Sequence, residues 1–316
     1  MRRVAITTRD FYYASELTKK LLADERVEKI LVIGKDLSVP VVDKIIYIDT
    51  LPYFPLASIF KENNIDTIIN FVKIDDETYS NKEAYNLTLQ SLENILSSGT
   101  RGGVENYILY SSTIIYGVNK KKKDKIFKPI RLKKPGSKFY YSKLRFEAEK
   151  LVYEFMDEFP HFNIKIARTA FTLGGNVDNL ISSYLSLKFL PMVSHHNPEF
   201  EFVHEDDVID AFQHLIFNGE TGIYNISSDD SISLKEIAEL MDSKLISIPK
   251  LLAKQMAFLS WHIIPGVVKI PPHTIDFFMH SFLTDNNSLK ATGFKFKHTL
   301  TETLKDFKKF RTDFHK

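Results

Sequence analysis

Short apolar runs rich in β-branched and aromatic residues recur along the first 170 residues, separated by helix-forming stretches. The runs occupy residues 4–8, 29–33, 45–49, 66–71, 107–112 and 164–169. Continuous apolar runs of this length are typical of strands buried on both faces of a sheet. Strands that alternate with helices pair in parallel, because a parallel connection needs a long crossover. The pattern therefore predicts an α/β fold with a doubly wound parallel sheet.

The composition is that of a globular chain: 316 residues, 44% hydrophobic and 26% charged. This length allows one large domain, or a large domain with a smaller appendage. The chain has no cysteine, which excludes disulfides and thiolate metal sites. We therefore expect a reducing, cytoplasmic location. The N-terminal apolar run is too short for a signal peptide, and no run reaches the roughly 18 residues of a membrane helix, so we predict no membrane span.

The net charge of +2 is unevenly distributed. Residues 120–138 hold ten Lys or Arg and one acid, whereas the rest of the chain is net negative. Pro129, Pro135 and Gly136 argue against a helix in this basic loop before about residue 138. A solvated loop is one interpretation. The loop could instead steer an anionic ligand or contact phosphates, with a strength that falls as salt rises.

One segment carries a candidate for acid–base chemistry. Residues 138–147 read as a helix, which would stack Phe139, Lys143 and Glu147 on one face. A lysine four residues after a phenol lowers the phenol's pKa by charge proximity, so that the phenol can exchange a proton near neutral pH. Phe139 stands where that phenol would be. Tyr140, a helical neighbour of the lysine, is a candidate substitute.

The other phenol of this segment, Tyr141, is expected to point elsewhere. A second segment, residues 107–117, reads as a strand that ends in Ser-Ser-x-x-x-Tyr-Gly. It places Ser112 four residues before Tyr116.

Together these segments resemble the extended short-chain dehydrogenases, the NAD-dependent epimerase/dehydratase family, with its Tyr-x-x-Ser-Lys-x-x-x-Glu pattern. Ser142, Lys143 and Glu147 match this pattern. The resemblance implies a Rossmann-like dinucleotide-binding domain over residues 1–168. It also implies a smaller C-terminal substrate-binding region over residues 169–316, interleaved with the first.

The resemblance implies roles for single residues as well. In the family, the tyrosine transfers a proton while NAD or NADP exchanges a hydride with a sugar or similar carbinol. Ser112 would hold the reacting oxygen, and Lys143 would bind the nicotinamide ribose. Arg168 and His204 lie in segments that resemble substrate-side motifs. Because no other metal ligand accompanies His204 at a suitable spacing, we predict no metal.

The phosphate-binding pattern Thr-Gly-x-x-Gly-x-x-Gly lines up with residues 7–14. Its glycines allow a tight turn and let the backbone approach the pyrophosphate. Here the three glycine positions hold Thr8, Phe11 and Ala14. The bulk of Phe11 predicts impaired binding of NAD or NADP.

Three further positions follow from the same resemblance. Gly34 and Lys35 fall at the tip of the second strand, where an acid would bind the adenosine ribose, and Lys35 is more compatible with a 2′-phosphate. Asp36 could take the acidic role, or the segment is an ordinary polar turn. Asn86 matches an asparagine that supports the active-site water and backbone, and a polar residue at a helix start explains it equally well.

Three functions remain open at this point. The first is a divergent relative that binds a nucleotide or sugar-type ligand and has weak or no redox turnover. This ligand could be anionic. The second is an active NAD(P) enzyme that uses Tyr140 as its acid–base group. The third is an RNA-binding scaffold that uses residues 120–138. The resemblance also implies a homodimer through helices that carry residues 86–96 and 143–157.

Overall fold

The computed structural model describes residues 1–8, 11–35, 40–50, 54–71, 82–118, 126–262 and 271–314. Its strands are β1 (Arg2–Thr8), β2 (Val27–Gly34), β3 (Ile45–Asp49), β4 (Thr67–Phe71), β5 (Asn106–Ser112), β6 (Ile126–Phe127), β7 (Asn163–Thr169), β8 (Phe171–Leu173), β9 (Phe189–Val193), β10 (Glu199–Phe200), β11 (Phe202–His204), β12 (Gly222–Ile226), β13 (Ile232–Ser233), β14 (Lys244–Ile248) and β15 (Leu283–Thr284). Its helices are α1 (Phe11–Ala23), α2 (Ala57–Glu62), α3 (Lys82–Gly102), α4 (Tyr140–Glu158), α5 (Leu180–Leu185), α6 (Glu205–Phe217), α7 (Leu234–Leu240), α8 (Lys250–His262), α9 (Asn287–Lys290) and α10 (Leu300–Phe314). Two 3₁₀ segments cover Thr113–Tyr116 and Pro272–Phe278.

Seven strands form the central sheet in the order β12-β7-β5-β4-β1-β2-β3, and all neighbours are parallel. All six strands predicted from the sequence belong to it, so the predicted doubly wound α/β fold is confirmed. The strand order reverses between β1 and β4. In this architecture the crevice beyond the carboxyl ends of those two strands is where ligands bind.

Helices cover both faces of the sheet, which explains why its strands read as continuous apolar runs. Successive side chains of a strand point to opposite faces. Accordingly, Val4 and Ile6 of β1 pack in the core with α1 and α6, whereas Ala5 packs in the core with α2, α3 and α4. All three side chains are fully buried.

The smaller substructures lie in the second half of the chain and pair as two-stranded units: β8 with β11, β9 with β14, and β10 with β13. A third apolar core, which includes Tyr184 and Phe202, lies among them. β12 returns to the edge of the central sheet, so the second half of the chain is interleaved with the first. The domain division at residue 168 stays a prediction. Within the described ranges, no helix combines the length and hydropathy needed to cross a bilayer.

Candidate functional site

A cavity of about 550 Å³ lies beside the switch point of the sheet. Its described lining combines nine aromatic side chains with a few polar groups, among them Ser112, Tyr141 and Arg145. Cavities of this size, apolar with a small number of converging polar groups, are typical of small-molecule sites. The cavity is therefore the candidate functional site.

Helix α4 decides which side chains reach this cavity. Tyr141, Arg145 and Glu149 follow one another at four-residue spacing, and this stripe turns toward the sheet and the cavity. Lys143 and Glu147 lie on another stripe, where Lys143 is exposed and does not line the cavity. An offset of two residues rotates a side chain by about 200° around a helix, because each residue turns it by roughly 100°. The sequence predicted Lys143 at the site, and the structure does not bring it there.

Arg145 and Tyr141 form a hydrogen-bonded pair in the cavity wall. The Arg145 side chain is buried, and its Nη2 donates to the hydroxyl oxygen of Tyr141 at 3.1 Å. Its Nη1 donates to the carbonyl oxygen of Tyr110 at 2.7 Å. Because the tyrosine oxygen accepts from the guanidinium, the O–H of Tyr141 remains a donor for a ligand. Tyr141 therefore points into the cavity, contrary to the direction expected for it.

The Nε of Arg145 is a buried nitrogen that has no hydrogen-bond partner among the described residues. A buried donor left without a partner is destabilising by roughly 1–3 kcal/mol. This nitrogen adds to the polar character of the wall beside Tyr141.

Two residues predicted for the site do meet at the cavity. Ser112 lines it at the end of β5, where its Oγ donates to the carbonyl oxygen of Thr169 at 3.3 Å and accepts from the amide of Ile114 at 3.4 Å. Phe139 immediately precedes α4, and its buried ring stacks on that of Tyr141 with 6.0 Å between the centroids. The ring of Phe139 thus forms part of the apolar wall.

Tyr140 is not placed to replace the missing phenol. It does not belong to the described lining of the cavity, and its ring packs against Tyr85 of α3 at 6.0 Å. Burial raises the pKa of Tyr140, whereas a proton acceptor near neutral pH needs a lower pKa. The structure therefore offers no support for Tyr140 as an acid–base group.

Arg168 and His204, expected on the substrate side, are buried away from the cavity lining. The guanidinium of Arg168 is fully buried and pairs with the carboxylate of Glu149 at 2.5 Å. The Nδ1 of His204 accepts from the amide of Asp206 at 3.1 Å and so caps α6. Its Nε2 lies 3.2 Å from the carboxylate of Asp306. Both side chains hold the fold together in this structure and do not contact the cavity.

The surroundings of His204 include a second histidine that the sequence did not connect with it. The rings of His204 and His298 stack with their centroids 3.8 Å apart. Ligand atoms of these two residues and of Asp206 all lie within 4.8 Å of one another. Both ring nitrogens of His204 are already used in hydrogen bonds, and the Nδ1 of His298 lies 3.1 Å from the Asp207 carboxylate. The group forms a hydrogen-bonded cluster at the start of α6.

Aromatic rings line the cavity at the end where the fold would place a dinucleotide. Thr8 and Phe71, the last residues of β1 and β4, are register partners, and both are buried. The ring of Phe71 stacks on Tyr13 of α1 at 6.3 Å, and Tyr13 contacts Tyr110 at 5.5 Å. We call Tyr13, Phe71 and Tyr110 the aromatic plug. Thr8 and Ala14 stand where the family pattern has glycine, so the described part of this crevice lacks the bare backbone that the pyrophosphate of NAD, which the family resemblance implies, would approach.

The remaining positions predicted for a cofactor are placed as follows. Ala14 is buried in α1, and Phe11 begins that helix with its side chain outside the described part. Gly34 ends β2, and its carbonyl accepts from the Tyr47 hydroxyl at 3.0 Å. The Nζ of Lys35 lies 3.5 Å from the carboxylate of Asp49.

Two other predictions fall partly beyond the site or beyond the described ranges. Asp36 and residues 120–125 of the basic loop lie outside the described residues. In the rest of the loop, Arg131 pairs with Asp157 at 2.7 Å. Asn86 is exposed in a shallow cleft between α3 and α4, away from the cavity. The resemblance predicted it beside the active-site water, and the structure does not bring it there.

A doubly wound parallel sheet with a cavity at its switch point defines a protein of the Rossmann-like fold class. The chain belongs to the NAD dependent epimerase/dehydratase family, whose pattern matches residues 10–227. The family resemblance inferred from the sequence is thereby confirmed.

A curated relative is N-acetyl-alpha-D-glucosaminyl-diphospho-ditrans,octacis-undecaprenol 4-epimerase of Escherichia coli O157:H7, 25% identical over 176 residues. The match covers 53% of this chain and spans about half, 51%, of that relative. A UDP-glucose 4-epimerase from Thermotoga maritima, solved with UDP-glucose, has a TM-score of 0.70 and 15% identity over 99% of this chain and 100% of its own. The dTDP-glucose 4,6-dehydratase DesIV from Streptomyces venezuelae, solved with NAD, has a TM-score of 0.71 and 14% identity over 98% and 97% of the two chains. At such identities the two structures support the fold alone.

Proposed function

We propose that this protein binds a nucleotide-sugar or sugar-type ligand in the cavity beside α4, with weak or no redox turnover. The observation that carries the proposal is the aromatic plug at the switch point. The ligand end of the site keeps polar groups, whereas large aromatic side chains line the end where a dinucleotide would lie.

The ligand end of the site supplies a hydroxyl donor held in place by a cation. Arg145 fixes the oxygen of Tyr141, and Ser112 lines the same cavity. We infer that the tyrosine, lysine and glutamate positions of the family segment correspond here to Tyr141, Arg145 and Glu149. In this alignment the phenol is retained and an arginine replaces the lysine. Tyr141 would then donate a hydrogen bond to a ligand oxygen.

The ligand class follows from the lining and from the relatives. Planar aromatic faces stack on nucleobases and on apolar faces of ligands. Arg145 is the one cationic side chain in the described lining, and it is already hydrogen-bonded. The names of the relatives specify sugars carried by nucleoside diphosphates or by a polyprenyl diphosphate. A sugar unit is common to all of them and is what we assign to this cavity.

The other two hypotheses receive less support. An active enzyme that depends on Tyr140 would need this phenol at the cavity, and it packs on Tyr85 instead. An RNA-binding role for residues 120–138 rests on charge alone, since residues 120–125 lie outside the described ranges.

Calorimetric titration of the purified protein tests the proposal. UDP-glucose and dTDP-glucose are titrated in parallel with NAD, NADH and NADPH. We expect a sugar nucleotide to bind with a Kd below about 1 mM and the dinucleotides to bind more weakly than about 1 mM. Micromolar binding of a dinucleotide together with conversion of a sugar nucleotide would overturn the proposal. Absence of binding by both sugar nucleotides would remove the ligand assignment.

A further inference from the structure

Helix α8 turns large apolar side chains outward. Ala253 and Ala257, one turn apart, are the buried residues of its described part, and they pack against a small core that contains Ile248 and Ile275. Because the two alanines face the rest of the protein, the large apolar residues of the helix face solvent. Exposed fractions are 71% for Leu251, 47% for Leu252, 47% for Met256 and 40% for Leu259.

The outward position of these residues follows from helix geometry. At roughly 100° per residue, Leu251, Leu252 and Leu259 fall on the side opposite the two alanines. An ordinary surface helix shows the reverse arrangement, with its apolar stripe toward the core. We call Leu251, Leu252, Met256 and Leu259 the outer face of α8. The exposed Gln255 lies between Leu251 and Leu259 on this face, so the face is apolar apart from one polar residue. A largely apolar exposed face of this kind marks an interaction surface.

The charged residues of α8 and of the strand before it are of one sign. Lys250 and Lys254 are exposed on α8, and Lys244 is exposed on the strand that leads into it. From residue 244 to residue 275 the sequence contains four lysines and no aspartate or glutamate. Two further half-exposed apolar residues, Phe189 and Ile246, lie on the paired strands β9 and β14.

We propose that the outer face of α8 docks peripherally on an anionic lipid surface. The helix would lie in the plane of the interface with its leucines in the acyl boundary. Amphipathic helices that combine an apolar face with lysines bind membranes in this way, with no span across the bilayer. The lysines would meet lipid phosphates. This proposal does not depend on the ligand of the cavity.

Charge favours lipid over a second copy of this chain. Lys254 lies at the edge of the outer face, about 80° from the mean direction of the two alanines. If two outer faces met around a two-fold axis, Lys254 of both copies would approach one another, with no acid on α8 to compensate. Like charges brought together across an interface oppose association. An anionic bilayer supplies the opposite charge.

Vesicle sedimentation with the full-length protein tests the docking. We expect binding to vesicles of phosphatidylcholine with 30 mol% phosphatidylglycerol (about the anionic fraction that recruits basic segments) and loss of binding in high salt. Lys250→Gln/Lys254→Gln should weaken binding about thirtyfold, since each lysine near an anionic surface contributes roughly fivefold. Leu251→Gln/Leu252→Gln should weaken it at least about tenfold.

A matched control replaces exposed apolar residues elsewhere. Val41→Gln/Val42→Gln, at positions with exposed fractions of 101% and 45%, should leave vesicle binding unchanged. If this pair weakens binding as much as the leucine pair does, the docking is not specific to α8 and the proposal fails. It also fails if sedimentation equilibrium shows a dimer that the leucine pair dissociates.

A measurement on the native protein avoids any question of variant folding. The single tryptophan, Trp261, lies on α8. Vesicles that carry brominated acyl chains should quench its fluorescence, with the same dependence on phosphatidylglycerol as sedimentation. If neither sedimentation nor quenching occurs on anionic vesicles, the proposal is overturned.

Discussion

The carboxylate of Glu149 and the guanidinium of Arg168 pair at 2.5 Å with both side chains fully buried. The pair joins α4 to β7 and turns the Glu149 side of the helix toward the sheet. The same carboxylate accepts from Ser111 at 2.5 Å and from the Tyr153 hydroxyl at 2.5 Å. By fixing the rotation of α4, this network places Arg145 and Tyr141 at the cavity.

Loss of the Glu149 carboxylate should therefore destabilise the fold strongly. Glu149→Ala leaves the guanidinium of Arg168 buried without its partner, and we expect a loss of about 3–5 kcal/mol in the free energy of unfolding. Urea denaturation followed by circular dichroism measures it. Glu147→Ala, two residues away on the outer stripe, is the control and should change the free energy by less than about 0.5 kcal/mol. Equal effects of the two substitutions would show that the network does not anchor the helix.

Ligand binding should distinguish the two stripes of α4. Arg145→Gln removes the cation that holds the Tyr141 oxygen, so we expect affinity for a bound sugar nucleotide to fall at least about tenfold. Lys143→Gln should leave affinity unchanged, because that side chain is exposed and outside the described lining. Calorimetric titration of both variants provides the comparison. A larger loss from Lys143→Gln would restore the alignment first predicted from the sequence.

The aromatic plug should be important for stability. Phe71→Ala removes a buried ring that packs on Tyr13, Tyr110 and Phe212, and we expect a loss of about 3–5 kcal/mol in unfolding free energy. Phe189→Ala, at a half-exposed ring, should lose less than about 1 kcal/mol. The Phe71 variant is also titrated with NADH, and we expect its affinity to rise because the crevice is opened. Unchanged NADH affinity in a folded variant would show that other groups close the crevice.

A buried carboxyl should make stability depend on pH. Burial raises the pKa of Glu201 from 4.5 to about 8, and hydrogen bonds from Thr284 oppose the shift only in part. The folded state therefore holds a proton that the unfolded state releases. This contribution to the free energy of unfolding is complete below about pH 4.5 and is lost as the pH rises through about 8.

Comparison of two variants isolates this effect. Between pH 5 and pH 9 the native protein should lose stability relative to Glu201→Gln, whose side chain stays neutral throughout. Urea denaturation at several pH values measures the difference. Glu239→Gln, at an exposed site, should follow the native protein. Parallel curves for the native protein and Glu201→Gln would contradict the raised pKa.

The strands of the sheet were predictable because each is a continuous apolar run buried by helices on both faces. The rotation of α4 was not, because two stripes separated by two residues both satisfy four-residue spacing. Lys143, Glu147, Lys150 and Glu154 alternate in sign at helical spacing, which is typical of a solvent-facing stripe. This alternation of charge indicates that the stripe of Tyr141 is the buried one. The match of Ser142, Lys143 and Glu147 to the family pattern led to the opposite prediction.

Contacts between distant parts of the chain account for the rest of what the sequence missed. The plug combines Tyr13, Phe71 and Tyr110 from three separate elements, and their meeting depends on the register of β1 with β4. His204 and His298 likewise meet only in the folded chain. Local patterns report periodicity and caps, and they carry no information about such pairs.

The rings of Tyr13, Phe71 and Tyr110 also bear on how this protein persists in a cell. Proteins that leave such a crevice open gain stability from the bound nucleotide by mass action, and their lifetime follows its supply. In the proposed function, the aromatic plug takes the place of a bound dinucleotide. Its resistance to unfolding and proteolysis should therefore be indifferent to starvation or to shifts in the pool of oxidised and reduced dinucleotides.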